Sequence, residues 1–562
     1  MGHRHTVKTV PPNVVPPLSA AALVYLLASA ALHRGVIVHL TTRATGWTSS
    51  DSALFTWWLH WTPWALLHGE NPLYTTWQHA PVGVNAMWNT TTPALGILLA
   101  PVTLTIGPTA AFNVGMILGP AVSATACWAA LGPYVRRWPA RTIASGLYGF
   151  SPFIVAHGSV GHLNLVWALL PPFLLWAVRT VFVDPRRPWL AGAAIGAAFA
   201  LQTGLYTQTV ALGAVALVVV AAVLTARWPR EALVRAPAVA RSAIAALGVY
   251  VLFAAYPLWL LLAGPARPAA PIRDPATTGA DLANVVVPSP LTKLTTGTTE
   301  LAGQLWNHPG EQGSYIGIAM LVALTLAAAI VRSTALRLAV ATGAVLLVLS
   351  FGVHLIVLGR ETGLPLPWAI TQTVPLLAEA EAGRLAVFVA LAVALAFGIT
   401  ADRALASQRW IVVGALIGVA FTWMPSDSQQ STPVAVPAFF TAGAPGLASS
   451  DLVTVWPRPS GKWVGGARPL LWQSAASMSY RQTGGYFIGS DVSHPLLLEA
   501  PITEFETRRD PAAARRDLAA RGVTAVLVVD QPDVDLPAVL SWTQQVVGRP
   551  GVELGGVWVF RP

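Results

Sequence analysis

Charge, lysine and cysteine are what this chain of 562 residues has least of. Only 10% of its residues are charged, where a soluble globular chain carries about 25%, and 54% are apolar. With a mean hydropathy of +0.58, that composition excludes an ordinary soluble enzyme. The one cysteine, Cys127, excludes an intramolecular disulfide and a cysteine metal site. The only lysines are Lys8, Lys293 and Lys462, so the excess of basic over acidic residues, 34 against 24, is carried by arginine. Most arginines stand in short loops between apolar blocks. This is the positive-inside habit of membrane proteins and does not suggest nucleic-acid binding.

What is present is a series of apolar blocks of about 20 residues, the length that crosses a bilayer. They run from Leu18–Leu32 through Pro93–Ile106, Ala110–Leu131, Ile143–Val155, Leu163–Val183, Leu190–Leu201, Val210–Leu224 and Ile244–Leu262, then Ile316–Ile330, Leu336–Phe351, Leu385–Ile399 and Ile411–Trp423. The fold class expected is an α-helical polytopic membrane protein with about 11 to 13 spans. Arginines in Val183–Pro188, Thr225–Arg241 and Ala401–Arg409 place those loops in the cytoplasm, with the N-terminus inside. The loops 41–92, 264–314 and 353–384, and everything after Pro425, then lie outside. This alternation allows Pro93–Leu131 one crossing, although the Gly107-Pro108 break suggests two. After Pro425 short β-rich runs appear at Val434–Phe440, Leu452–Trp456, Tyr486–Ile488, Val523–Val529 and Val552–Phe560, with helical stretches at Pro511–Arg521 and Leu536–Val547. Residues 1–424 are thus a multi-span domain and 425–562 a small extracytoplasmic α/β domain.

Ionisable groups and aromatic rings meet in the first outer loop. Ser49-Ser50-Asp51-Ser52 is suited to cap a helix whose tryptophans, Trp57, Trp58, Trp61 and Trp64, suit the headgroup layer, with Pro63 expected to kink or interrupt it. Asp51 reads equally as a helix cap and as a general base near the bilayer surface. Glu70 is more often a turn residue than a ligand. His157 and His162, five apart, fall about 140° from each other on a helix, which disfavours a zinc pair. As a turn, the segment would present both imidazoles and Asn164 to sugar hydroxyls. Glu311 and Tyr315, where the long outer loop re-enters the membrane, suit a polar acceptor or an ordinary helix start. Arg384, an outward-facing arginine at a span entry, suits a lipid phosphate or a salt bridge with Glu379 or Glu381.

A first span, a long outer loop opening with an acid, many further spans and a terminal outer domain resemble the GT-C superfamily of integral-membrane glycosyltransferases. The local likeness rests on Asp51, on Asn71-Pro72 through Asn85 and on the later outer loops. The resemblance implies transfer of a sugar, with inversion, from a polyprenyl-phosphate donor to a glycan, lipid or protein acceptor outside the cytoplasmic membrane, with Asp51 as base. Here Ser50-Asp51-Ser52 replaces the two-carboxylate metal grip of some relatives, and histidines stand where many carry a second acid. The expectation is therefore chemistry without a cofactor, a divalent metal being the less favoured option. The alternatives are a lipid or saccharide transporter, for which the spans hold few carboxylates, and a non-catalytic scaffold.

Overall fold

The computed structural model describes residues 18–46, 50–268, 271–295, 298–456, 467–488, 510–531 and 534–562. Lys8 and Lys462, and the Ser49 part of the expected cap, lie outside them. Among the described residues six helices are long and apolar enough to cross a membrane: Pro108–Leu131, Leu163–Val183, Pro188–Leu205, Thr207–Arg227, Pro229–Leu262 and Ala382–Ala406. Shorter apolar helices are Leu18–Leu32, Ile318–Ile330, Thr334–Ser350 and Trp410–Phe421. The polytopic helical fold expected from composition is therefore present. Small residues set the closest helix contacts. Gly192 and Gly196 bring Pro188–Leu205 onto Pro229–Leu262, where an added Cβ would stand 2.2 Å from the Ser242 carbonyl and 2.3 Å from that of Ala246. Without a hydrophobic drive between helices in lipid, such close backbone packing is what holds them together.

Three stretches depart from what the sequence predicts. Ile143–Val155 is broken between the helices Trp138–Gly149 and Pro152–Ser159. Pro93–Ile106 is two helices of six residues each, Pro93–Leu98 and Ala100–Thr105. At 1.5 Å per residue the pair reaches about 20 Å, short of a hydrocarbon core of about 30 Å. In this region only Pro108–Leu131 is long and apolar enough to cross a membrane. Thr225–Arg241, expected as a loop, is mostly helix, because Pro229–Leu262 runs unbroken for 34 residues.

The turns between helices fall at two ends. Tyr134, Val183, Trp228 and Thr334 line one apolar cavity, and Arg137 N–H donates to Asp402 Oδ1 at 2.7 Å, so the arginine-bearing turns share one end. At the other end the long polar loops are ordered by Asp281. Its buried carboxylate accepts backbone N–H groups from Ala283, Leu358, Trp306 and Gly359 at 2.8 to 3.0 Å, joining three loop segments through one side chain.

The terminal domain is a sheet of five strands in the order Val552–Leu554, Val557–Phe560, Ala525–Val529, Leu452–Trp456, Arg481–Gln482. The pairs made by Leu452–Trp456 are parallel and the others antiparallel. Strand alternation sends Ala525, Leu527 and Val529 into a core with Phe440 and Trp472, and Val526 and Val528 into another with Leu518 and Trp542. The α/β expectation holds, with two corrections in detail. Val434–Phe440 is no strand: residues Ser431–Pro433 pair with Arg43–Thr45 of the first outer loop, and Ala438–Thr441 is a helical turn. Tyr486–Ile488 is irregular, and the backbone N–H and carbonyl of Ile488 bond the Asn89 side chain instead of a strand.

That loop also corrects the reading of the tryptophans. The helix Ser50–His68 runs through Pro63; the Leu59 carbonyl, which proline leaves without its helical donor, receives the Thr103 hydroxyl at 3.5 Å. Trp57, Trp58 and Trp61 are buried, packed with Leu470, Leu471 and Met478 of the terminal domain rather than facing headgroups. Trp57 Nε1 donates to Gln473 Oε1 at 2.8 Å. Their apolar rings, and the N–H of Trp57, serve a protein interface here.

Candidate active site

Between these loops lies a cavity of about 380 Å³, lined by Asp51, His162, Asn164, Glu311 and Arg384 among others. Five of the residues singled out in the sequence therefore meet in one place. Asp51 stands in the first turn of Ser50–His68. His162 reaches it from a different part of the chain: the helix Pro152–Ser159 ends, Gly161 turns at φ +80°, and Leu163–Val166 begins. A side chain at Gly161 would be strained in that conformation and would crowd the Thr45 carbonyl at 3.1 Å.

The turn overrides the helical spacing argument. His157 and His162 are not on one helix, and their Nδ1 atoms lie 2.9 Å apart. His162 Nε2 lies 3.1 Å from Asp51 Oδ2. A carboxylate oxygen accepts, so His162 Nε2 donates to Asp51 Oδ2, and in the Nδ1 pair one imidazole donates while the other accepts. Burial drives the His157 imidazole well below the usual histidine range, so it is neutral. His157 itself is buried behind His162 and does not line the cavity.

Behind the histidines is a charged lattice. Arg384 Nη2 donates to Glu311 Oε1 at 2.9 Å and to Glu381 Oε2 at 2.7 Å, and Nη1 donates to Gln208 Oε1 at 2.8 Å and to the Tyr206 hydroxyl. Burial opposes ionisation of Glu311, but the Arg384 guanidinium outweighs burial and holds the carboxyl below the usual carboxylate range. The expected salt bridge of Arg384 thus exists with Glu381, while Glu379 instead accepts the Ile272 N–H at 3.2 Å. Glu381 also pairs with Arg273. The Arg273 side chain is 39% exposed and that of Arg384 only 7%. Arg273 is the cation that faces the cavity; Arg384 is the one that holds its wall.

Besides His157, two candidates fall outside. Glu70 is an exposed turn residue after Gly69, its N–H bonded to the Ala65 carbonyl at 2.8 Å. Tyr315 is buried in the helical core at the start of Ile318–Ile330 and does not line the cavity. The sequence reading missed Arg273, His308, Asn89 and Tyr486, which do. Arg273 was within reach of the argument that singled out Arg384, since it too is an arginine in an outer loop. The Tyr486 phenol is pushed up by the charge of Asp51 and then by burial.

His157, His162 and Glu311 offer three ligand atoms within 4.8 Å of one another. As they stand they fit a divalent ion poorly. His157 Nδ1 and both ring nitrogens of His162 are engaged by each other and by Asp51, and the Arg384 guanidinium already pairs with Glu311 Oε1, which leaves His157 Nε2, 3.9 Å from Glu311 Oε2, as the one ring nitrogen not so engaged.

No known family profile matches the chain, and no curated protein matches it in sequence. Its fold is similar to that of the arabinofuranosyltransferase AftD from mycobacteria, at 16% identity and a TM-score of 0.55 over 97% of this chain and 41% of that one. It is also similar to the archaeal oligosaccharyltransferase AglB from Archaeoglobus fulgidus, solved with an inhibitory peptide and a dolichol-phosphate, at 12% identity and a TM-score of 0.50 over 95% of this chain and 71% of that one. The chain spans about two fifths of the length of AftD. At these identities the likeness is one of fold, which this chain shares with both transferases.

Proposed function

We propose that this protein moves a sugar from a polyprenyl-phosphate donor to an acceptor hydroxyl on the outer face of the cytoplasmic membrane. The observation that carries the reading is the placing of Asp51, oriented by His162, in a cavity whose other wall presents Arg273. Asp51 accepts the proton of the acceptor hydroxyl as the oxygen attacks the anomeric carbon. The bond from that carbon to the phosphate oxygen breaks, the electron pair leaves with the phosphate, and the configuration inverts. Arg273 meets the charge developing on the phosphate, and its planar fork suits two phosphate oxygens. AglB, which shares the fold, was solved with a dolichol-phosphate, a carrier of the class proposed here. The poor fit of the histidine cluster to a divalent ion favours chemistry without one. The arginine-bearing turns gathered at one end favour the cavity end as the outer one. The ionisable groups collect at a helix end rather than mid-membrane, which favours an enzyme over a transporter.

The test is an assay of purified protein with polyprenyl-phosphate-linked sugars. Asp51→Asn keeps the shape but takes no proton, and should cut turnover by about 10² to 10⁴-fold with donor binding and melting unchanged. Full activity in that variant would overturn the assignment.

A further inference from the structure

The terminal domain does more than cover the membrane part. Tyr486, Phe487 and Ile488 line the same cavity as Asp51, and they are locked there. Ile488 N–H donates to Asn89 Oδ1 at 2.7 Å, and Asn89 Nδ2 donates back to the Ile488 carbonyl at 3.2 Å. Upstream, His79 N–H bonds the Gly484 carbonyl at 2.9 Å and Ala80 N–H that of Gln482 at 3.1 Å. Gly485 lets the chains approach: a Cβ there would stand 2.6 Å from Gln78 Oε1. The His79 ring lies on Phe487, 4.5 Å between centroids.

This lock divides the cavity chemically. Arg273, Arg384 and His308 come from the later outer loops. The residues brought by the lock, Asn89, Thr90, Tyr486, Phe487 and Ile488, include no charged side chain. They are an amide, two hydroxyls, aromatic rings and an aliphatic group. Amides and hydroxyls bond sugar hydroxyls, and rings cover the C–H faces of a sugar. Among the described residues, none that the lock brings would neutralise an acidic group. Tyr486 also stands where the two halves meet, since both Asp51 and Arg273 act on its phenol. A phenol that stays protonated donates a hydrogen bond to a carboxylate and cannot compete with it for the substrate proton.

We propose that Asn89, Thr90 and Tyr486–Ile488 form the acceptor subsite, that it takes an uncharged sugar, and that Tyr486 is a positioning residue for Asp51. This rests on the transferase reading above. With His162 on Oδ2 and the phenol beside it, the carboxylate is held from two sides and its free lone pairs point to the acceptor hydroxyl. The terminal domain would then select the acceptor as well as complete the site.

The experiment uses the full-length protein in nanodiscs with a panel of polyprenyl-phosphoryl pentoses and hexoses, and neutral alkyl glycosides or their uronic-acid counterparts as acceptors. Tyr486→Phe should lower kcat about 10- to 100-fold, the range for losing a hydrogen bond to a charged group. It should also move the acid limb of the pH–rate profile upward, because Asp51 loses a donor to its ionised form, while donor binding stays unchanged. A merely structural tyrosine would not move that limb. Thr90→Val, which removes only a hydroxyl, should raise the acceptor KM about fivefold with kcat kept. An unchanged limb in Tyr486→Phe overturns the positioning role. An unchanged acceptor KM in Thr90→Val, or preference for the uronic-acid acceptors, overturns the subsite. Full activity in Asp51→Asn would instead sink the parent reading, and inactivity of the unmodified protein with every donor would sink both.

Discussion

His162 Nε2 and Asp51 Oδ2, 111 residues apart in sequence, lie 3.1 Å from each other. The contact makes His162 a donor to the carboxylate rather than a ligand for sugar, and it passes the orientation back to His157 through the paired Nδ1 atoms. Removing the donor should leave the carboxylate unheld. In His162→Phe kcat is expected to fall about 10- to 100-fold. His162→Gln, which keeps an N–H to donate, should recover part of the loss; equal damage from both would mean that the ring serves only packing.

Engagement of the imidazoles by each other and by Asp51 leads to a second expectation. Prolonged treatment with a strong chelator should leave transfer unchanged, and added Mn²⁺ or Zn²⁺ should not stimulate it. Activity lost to the chelator and restored by one ion would show that His157, His162 and Glu311 rearrange into a ligand set.

The two arginines should separate cleanly. Arg273→Ala removes an exposed cation, so donor affinity should drop, by about 1.5 to 3 kcal/mol for a hydrogen bond to a charged group, with little change in melting. Arg384→Ala leaves Glu311 and Glu381 without their shared buried partner and should cost about 3 to 5 kcal/mol of stability. Normal folding of Arg384→Ala together with lost donor binding would reverse the roles, and calorimetry beside a donor-binding titration decides it.

Acid should loosen the tryptophan helix from the terminal domain. Burial pushes the His60 imidazole, 2.8 Å from the Ser474 hydroxyl, from 6.5 down to about 4. The unfolded chain binds the proton first, so the stability that neutral His60 allows is complete above about pH 6.5 and is lost as pH falls toward 4. The loss approaches about 3 kcal/mol. Melting temperature measured from pH 7 to 4.5 should fall, and His60→Gln should flatten the curve; an identical slope in the variant would place the acid sensitivity elsewhere.

Sidedness is open to direct labelling. In a Cys127→Ser background, Ser449→Cys and Ser407→Cys, both at exposed positions, should react oppositely with an impermeant thiol reagent added to intact cells, the first from outside. Labelling of both would overturn the orientation.

The spans were legible because lipid imposes length and apolarity on each one separately. Asp51, His162 and Arg384 were legible for a related reason: charges at helix ends in so apolar a chain stand out against their surroundings. The pairing of His157 with His162 was not, since helical spacing says nothing once Gly161 breaks the helix. The Trp57 and Trp61 rings were read as headgroup anchors because an apolar ring with one N–H suits an interface with lipid or with protein equally. Asn89 and Tyr486 gave no local signal at all. An amide in a polar loop and a phenol in a short apolar run become site residues only through a long-range fold contact.

Trp57 and Gln473 are separated by 416 residues, and that distance sets an order of events during synthesis. At roughly 5 to 20 residues per second, the ribosome needs roughly 20 to 80 s to make the partner of the first outer helix. For that interval the helix bearing the base waits with three tryptophans bare, a target for chaperones and proteases. The reaction centre is also incomplete, for Tyr486 has not yet been made. In a nascent chain with most of its apolar helices already made, the cavity would therefore lack the wall that Tyr486, Phe487 and Ile488 supply until the strand-bearing domain docks.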